Sequence, residues 1–155
     1  MELVIVAVVI GVMAALAVPS FLNFTSKLEA KATARDIVSA LRLARSRAIS
    51  ERVQYGVYFN AGAKQFTLFK DKVNPGSWEY EPLAGDSLVS RVDLEPDVNY
   101  GGNTFPSTTV VFTPAGGASS SGNLKIYSTS RGSDTLYINV LASTGRIKLD
   151  DKPIP

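Results

Sequence analysis

The chain opens with the segment that most limits how it can fold, because no residue from Leu3 through Ser26 carries a charge. A membrane-spanning helix needs about 20 mostly apolar residues, so this run is long enough to cross a bilayer. A lone carboxylate, Glu2, stands at its edge, where an ionisable group is costly unless it is paired. Glu2 is therefore either a polar flank of a membrane anchor or a functional group.

The apolar run continues into a segment that is also typical of a helix. Residues 27–52 contain no Gly or Pro and are rich in Leu, Ala, Lys, Arg and Glu, which favour helix. We predict a single helix from Leu3 to about Arg52. Gly11 and Pro19 are its weak points, and a kink or local break is expected at Pro19, because proline removes one helical hydrogen bond and clashes with the preceding turn.

The second half of this helix is predicted to be amphipathic. The apolar arc is expected to pack closely on a sheet and comprises Ala30, Ile37, Ala40, Leu41, Ala44 and Ala48. The neighbouring basic arc comprises Lys27, Lys31, Arg35, Arg42, Arg45 and Arg52, with Val38 and Ile49 among them. The basic arc is either a solvated face or a surface for neighbouring subunits, acidic headgroups or nucleic acid.

After Arg52 the composition changes to short runs of β-branched and aromatic residues separated by Gly, Pro and Asn. The predicted strands are Val53–Phe59, Gln65–Lys70, Leu88–Leu94, Thr108–Thr113, Leu124–Thr129, Thr135–Leu141 and Ile147–Leu149, whereas Tyr100–Thr104 is predicted as a turn. The fold class is α+β, a long N-terminal helix packed on a small antiparallel β-sheet domain of about six or seven strands. The predicted organisation is an apolar helix (1–26), its amphipathic continuation (27–52) and a globular β domain (53–155).

The composition argues against an enzyme. The chain has no His and no Cys, which removes disulfides, the commonest general base and the usual zinc ligands. Asp150 and Asp151 could contribute to a calcium site, but no other ligand pattern accompanies them. We therefore expect no catalytic residue, no metal, no cofactor and no small-molecule substrate.

Glu2, Gly11 and Pro19 stand in a gap-free stretch, E-L-V-I-V-A-V-V-I-G-V-M-A-A-L-A-V-P-S-F, that resembles the start of type IV pilins and type II secretion pseudopilins. In that family a short Phe-Thr-Leu start precedes the Glu, so the resemblance implies that residues precede Met1 in the complete protein. It also implies the type IV pilin fold, with residues 3–22 or so held in the bacterial inner membrane before the subunit enters a helical filament with the same or other pilins.

The resemblance further assigns roles to these three residues. Glu2 would pair with the N-terminal amine of a neighbouring subunit inside the apolar filament core. The helix between Gly11 and Pro19 would lose helical hydrogen bonding in the filament. The subunit would end in a periplasmic pseudopilus or an extracellular pilus, and whether it would be a major or a minor subunit stays open.

Later segments are similar to the H-type minor pseudopilins and the FimT-like minor pilins, namely Ala40–Ile49, Val111–Gly116, Gly122–Ile126 and Gly145–Lys148. In FimT-like pilins a C-terminal Gly-Arg-x-Arg motif is associated with DNA uptake. Here Arg146 and Lys148 match it in outline and lie on one face of a predicted strand. Two alternatives to a structural filament subunit stay open, a DNA-binding minor pilin and a membrane-anchored periplasmic domain that does not polymerise.

Overall fold

The computed structural model describes residues 2–74, 76–129 and 135–153, without the side chains of residue 2 and of residues 16–23. One long helix, α1 (Glu2–Glu51), precedes all the strands, as the composition predicted. The helix runs without interruption through Gly11 and Pro19, so the local break expected at Pro19 is absent from the backbone. One lost hydrogen bond is tolerated there because helix continues for several turns on both sides.

Within the described ranges, eight strands follow the helix: β1 (Tyr55–Asn60), β2 (Gln65–Lys70), β3 (Ser87–Asp93), β4 (Val98–Asn103), β5 (Thr109–Phe112), β6 (Gly122–Ser128), β7 (Leu136–Leu141) and β8 (Arg146–Asp150). A 3-10 turn, Pro106–Thr108, precedes β5. The strands form two four-stranded sheets, the first in the order β3-β2-β1-β5 and the second in the order β4-β6-β7-β8. All pairings are antiparallel. The α+β class is thus confirmed, but with eight strands in two sheets.

The additional strand is β4, which the sequence presented as a turn because it contains Gly101 and Gly102. The strand register shifts between Tyr100 and Gly102, where β4 pairs with β6. A Cβ on Gly101 would lie only 2.8 Å from the Lys125 side chain and 2.9 Å from that of Tyr127. Glycine therefore serves close packing of two strands here, and the turn prediction for this segment is wrong.

The core lies between α1 and the two sheets, and α1 contacts strands of both. The buried apolar residues of the helix are Ala30, Ala34, Ile37, Val38, Leu41, Ala44 and Ala48. This confirms the predicted apolar arc except for Ala40, which is half-buried at its margin. Val38 was placed in the basic arc but is only 7% exposed, because the helix is flanked by two sheets and its buried face is wider than one sheet requires.

The connection between β2 and β3 is a long loop, as predicted, and it is organised around Asp86. The Asp86 carboxylate accepts backbone N–H groups from Lys72 at 3.1 Å and from Glu81 at 2.9 Å. Asp71, at the start of the loop, is only 2% exposed, and one of its carboxylate oxygens has no hydrogen-bond partner among the residues that the structure describes. Burial, with the nearby charges of Asp86 and Glu81, raises the pKa of Asp71 from its ordinary 3.8 to about 6.

Candidate assembly surface

The first third of α1 presents large apolar side chains that the other described residues leave uncovered. Exposure ranges from 51% at Val9 to 86% at Leu3. The residues concerned are Leu3, Val4, Ile5, Val6, Val8, Val9, Ile10, Val12 and Met13. A contiguous apolar surface of this kind marks a site of contact with protein or membrane.

Two further findings concern this segment. In the described part of the chain, no helix combines the length and the apolar character needed to span a membrane. A Cβ added at Gly11 would meet nothing within 4 Å, so packing within the chain does not require glycine there. The backbone of α1 begins at Glu2, whereas the side chains of Glu2 and Pro19 lie outside the described residues.

Farther along the helix, one basic residue has a structural role that the sequence analysis did not anticipate. Arg45 is half-buried, and its Nε donates a hydrogen bond to the carbonyl oxygen of Gly116 at 2.9 Å. Its Nη2 donates to the carbonyl oxygen of Thr144, also at 2.9 Å. We refer to Arg45 with these two carbonyl groups as the Arg45 clamp, which joins the helix to turns in both halves of the β domain.

The Arg45 clamp depends on glycine at the two turns that it joins. Gly116 has φ +86° and Gly145 has φ +60°, both in the left-handed region that favours glycine. A Cβ on Gly145 would lie 2.1 Å from the Gly116 carbonyl oxygen and 2.9 Å from Arg45 Nε. The Arg45 clamp therefore brings together three segments that resemble the pilin family, Ala40–Ile49, Val111–Gly116 and Gly145–Lys148. Their shared resemblance is the sequence signal that could have indicated this contact.

The other members of the basic arc, Lys27, Lys31, Arg35, Arg42 and Arg52, are exposed. Apolar side chains accompany them at the start of this stretch, where Phe24 and Leu28 are also exposed. The arc is thus a solvent-facing surface of the isolated chain, separated from the exposed apolar segment by residues 16–23. Its geometry is compatible with a solvated face and with a contact surface for a neighbouring subunit.

Arg146 and Lys148 are brought together on β8, at the edge of the second sheet. Both are exposed, and alternation along the strand places them on the same face. Lys148 Nζ lies 2.5 Å from an Asp150 carboxylate oxygen, and this hydrogen bond lowers the pKa of Asp150. The described residues contain no group of three or more His, Cys, Asp or Glu side chains arranged to hold a metal ion, at Asp150–Asp151 or elsewhere.

Comparison with known proteins places this arrangement in a family. The profile of the family described as type II transport protein GspH matches residues 33–145, which is most of the chain. The fold is similar to the minor pseudopilin EpsH from the type 2 secretion system of Vibrio cholerae, with 16% identity over 79% of this chain and 96% of that one, and a TM-score of 0.61. The type IV minor pilin FimU of Pseudomonas aeruginosa gives 14% identity, coverages of 80% and 96%, and a TM-score of 0.60. No curated protein sequence matches significantly.

The fold and the family profile together define a pilin-like subunit of the type II secretion and type IV pilus class, a class of structural proteins. The chain belongs to the GspH family. The resemblance to the H-type pseudopilins and FimT-like minor pilins is confirmed, and the residues that match the family profile lie downstream of the N-terminal motif.

Proposed function

We propose that the chain is a filament subunit whose N-terminal helix is held in the inner membrane before assembly and in the filament core afterwards. The exposed apolar segment from Leu3 to Met13 supports this proposal most directly. Covering each of these side chains stabilises by about 1 kcal/mol or more, and the described part of the chain leaves them exposed. A bilayer and a bundle of identical helices are the two environments that would do so.

Glu2 is the residue to which we assign the register of assembly. In an apolar core its carboxylate requires a partner, and the N-terminal amine of the adjacent subunit supplies one charge of opposite sign. Removing one member of such a buried pair costs about 3–5 kcal/mol. Polar groups at single positions fix register in the same way in coiled coils.

We also propose that the segment from Gly11 to Pro19 changes on assembly. In the isolated chain α1 is continuous there, but glycine and proline are the two weakest helix formers and bracket one stretch. Loss of helical hydrogen bonding between them would let neighbouring helices pack in the filament core. A filament structure with an unbroken helix through residues 11–19 would contradict this step.

The direct test replaces Glu2 by glutamine, which keeps the shape of the side chain and removes its charge. Glu29→Gln serves as the matched control, since it removes a carboxylate from the same helix outside the apolar segment. We expect Glu2→Gln to enter the membrane fraction normally and to form no filaments by electron microscopy. Normal filament formation by Glu2→Gln would refute the assigned role and favour a membrane-anchored domain that does not polymerise.

DNA binding is the second candidate function, and the exposed pair Arg146 and Lys148 on one face of β8 is the observation in its favour. Two phosphate contacts give weak, salt-sensitive binding, and the pairing of Lys148 with Asp150 reduces one of them. A low-salt gel-shift titration of the full chain in detergent provides the test. Binding that disappears in the double variant Arg146→Ala with Lys148→Ala would establish this function, and binding that does not change would exclude the pair.

A further inference from the structure

The first sheet carries a groove on the face turned away from α1. Val57 and Phe59 point into the core, so Tyr58 between them faces outward. Strand pairing aligns Tyr58 with Thr67, and Thr67 with Arg91, in one row across three strands. The groove above this row has a volume of about 390 Å³, within the range of small-molecule sites.

The remaining walls come from neighbouring segments. Asn60 and Gln65, also a cross-strand pair, extend the floor, and Tyr80 from the loop between β2 and β3 closes one side. The opposite rim is tied to that loop because the Ser107 hydroxyl donates a hydrogen bond to the Glu79 carboxylate. The groove is therefore built from both the sheet and a fixed loop.

Three polar side chains line the floor of the groove, those of Thr67, Gln65 and Arg91. Thr67 is only 1% exposed, Gln65 is half-buried and Arg91 is exposed. Beside them lies an apolar element, the paired rings of Tyr58 and Tyr80, whose centroids are 5.6 Å apart.

We propose that this groove binds a neutral saccharide. Hydroxyl, amide, guanidinium and carboxylate groups supply both donors and acceptors, and the charges of Arg91 and Glu79 cancel. An anionic ligand would meet Glu79, a cationic one would meet Arg91, and an apolar one would offer no hydrogen bond to the polar side chains of the floor. A sugar ring offers many hydroxyl groups together with an apolar C–H face for the tyrosine rings.

The test uses the full ¹⁵N-labelled chain in micelles of lauryldimethylamine oxide, because detergents with sugar headgroups would compete. The probes are lactose, maltose, cellobiose and N,N′-diacetylchitobiose, titrated into the millimolar range. We expect at least one of them to produce saturable shifts at the backbone amides of Tyr58, Thr67 and Arg91. No shift with any of the four overturns the proposal.

Two variants and one control locate the site. Thr67→Val keeps the shape of the side chain, and Arg91→Gln alters an exposed residue, so each is expected to fold and to weaken binding by about tenfold or more. Arg52→Gln, an exposed arginine outside the groove, is expected to bind as the unaltered chain does. Equal binding by all three variants, or tighter binding of 3′-sialyllactose or triglycine than of the neutral sugars, overturns the proposal.

The saccharide proposal does not depend on the filament function. The Glu2→Gln variant retains every residue of the groove, so it is expected to bind the same sugar with unchanged affinity. Failure to assemble and failure to bind are therefore separate results.

Discussion

The two ends of α1 share one secondary structure and differ in what covers them. From Leu3 to Met13 the large β-branched and aliphatic side chains are exposed, whereas from Ala30 to Ala48 a face rich in alanine is buried against two sheets. Small side chains let a helix approach strands closely, whereas the large ones near the start of α1 are left uncovered by the described part of the chain. One end of the helix is thus packed against its own domain and the other is not.

The largest expected effect comes from truncating a core side chain of the buried half. Leu41→Ala is expected to lower the free energy of unfolding by about 3 kcal/mol, because Leu41 is fully buried between the helix and the sheets. Ile10→Ala removes a similar volume from the exposed half and is expected to change the free energy of unfolding by less than about 0.5 kcal/mol. Urea unfolding of the two variants, followed by Trp78 fluorescence, makes the comparison. Equal losses would mean that the exposed half contributes to the stability of the domain.

The second-largest effect is expected at Arg45, which attaches the buried half of α1 to the β domain. Arg45→Ala removes two hydrogen bonds, a partly buried one to Gly116 and an exposed one to Thr144, and we expect a loss of about 2 kcal/mol in the free energy of unfolding. Arg42→Ala, an exposed arginine one turn earlier, is the control and is expected to be near neutral. Arg45→Lys should give an intermediate loss in the free energy of unfolding, since an ammonium lacks the planar guanidinium geometry that reaches both carbonyl groups. If Arg45→Ala lowers the free energy of unfolding by no more than Arg42→Ala does, the Arg45 clamp does not stabilise the fold.

A smaller effect with a defined pH dependence is expected at Asp71. Its pKa in the folded chain is raised to about 6 from 3.8, so folding disfavours the charged form. Below about pH 3 the carboxyl is neutral in both states, and Asp71→Asn should equal the unaltered chain in stability. As the pH rises from about 4 to about 6 the penalty develops only in the unaltered chain, and above that range the variant should be more stable by about 1–2 kcal/mol. Denaturation at about pH 3 and about pH 7.5 tests this, and a pH-independent difference would contradict it.

The smallest effect on the stability of the unassembled chain is expected at Gly11. Gly11→Ala has room for its Cβ and favours helix by about 0.5–1 kcal/mol, yet it should leave urea unfolding of the β domain unchanged. If the segment between Gly11 and Pro19 loses helical structure on assembly, the same substitution should reduce the yield of filaments. Unchanged filament yield would remove Gly11 from the proposed mechanism.

Local pattern predicted much of the fold. The extent of α1, strand β2 and the loop after it follow from composition and periodicity, which act over a few residues. β4 was missed because two glycines signal a turn locally, whereas here they allow close packing against Lys125 and Tyr127, residues distant in sequence. Val38 was misplaced for a similar reason, since the width of the buried helix face depends on the second sheet.

The candidate functional surfaces also differ in whether the sequence alone could predict them. The exposed apolar segment could be predicted because a continuous run of uncharged residues is a local property of the sequence. The Arg45 clamp and the groove at Tyr58, Thr67 and Arg91 could not, because each brings together residues separated by tens of positions. Periodicity assigns a residue to a face, but strand register decides which residues share it.

The Arg45 clamp has a mechanical consequence. A subunit drawn out of a membrane by its helix would be loaded along the helix axis, and that load must reach both sheets. Because α1 contacts both of them and Arg45 donates hydrogen bonds to Gly116 and Thr144, such a load would be shared between the two sheets. Under that load the helix would transmit force to the whole β domain and not to one strand at a time.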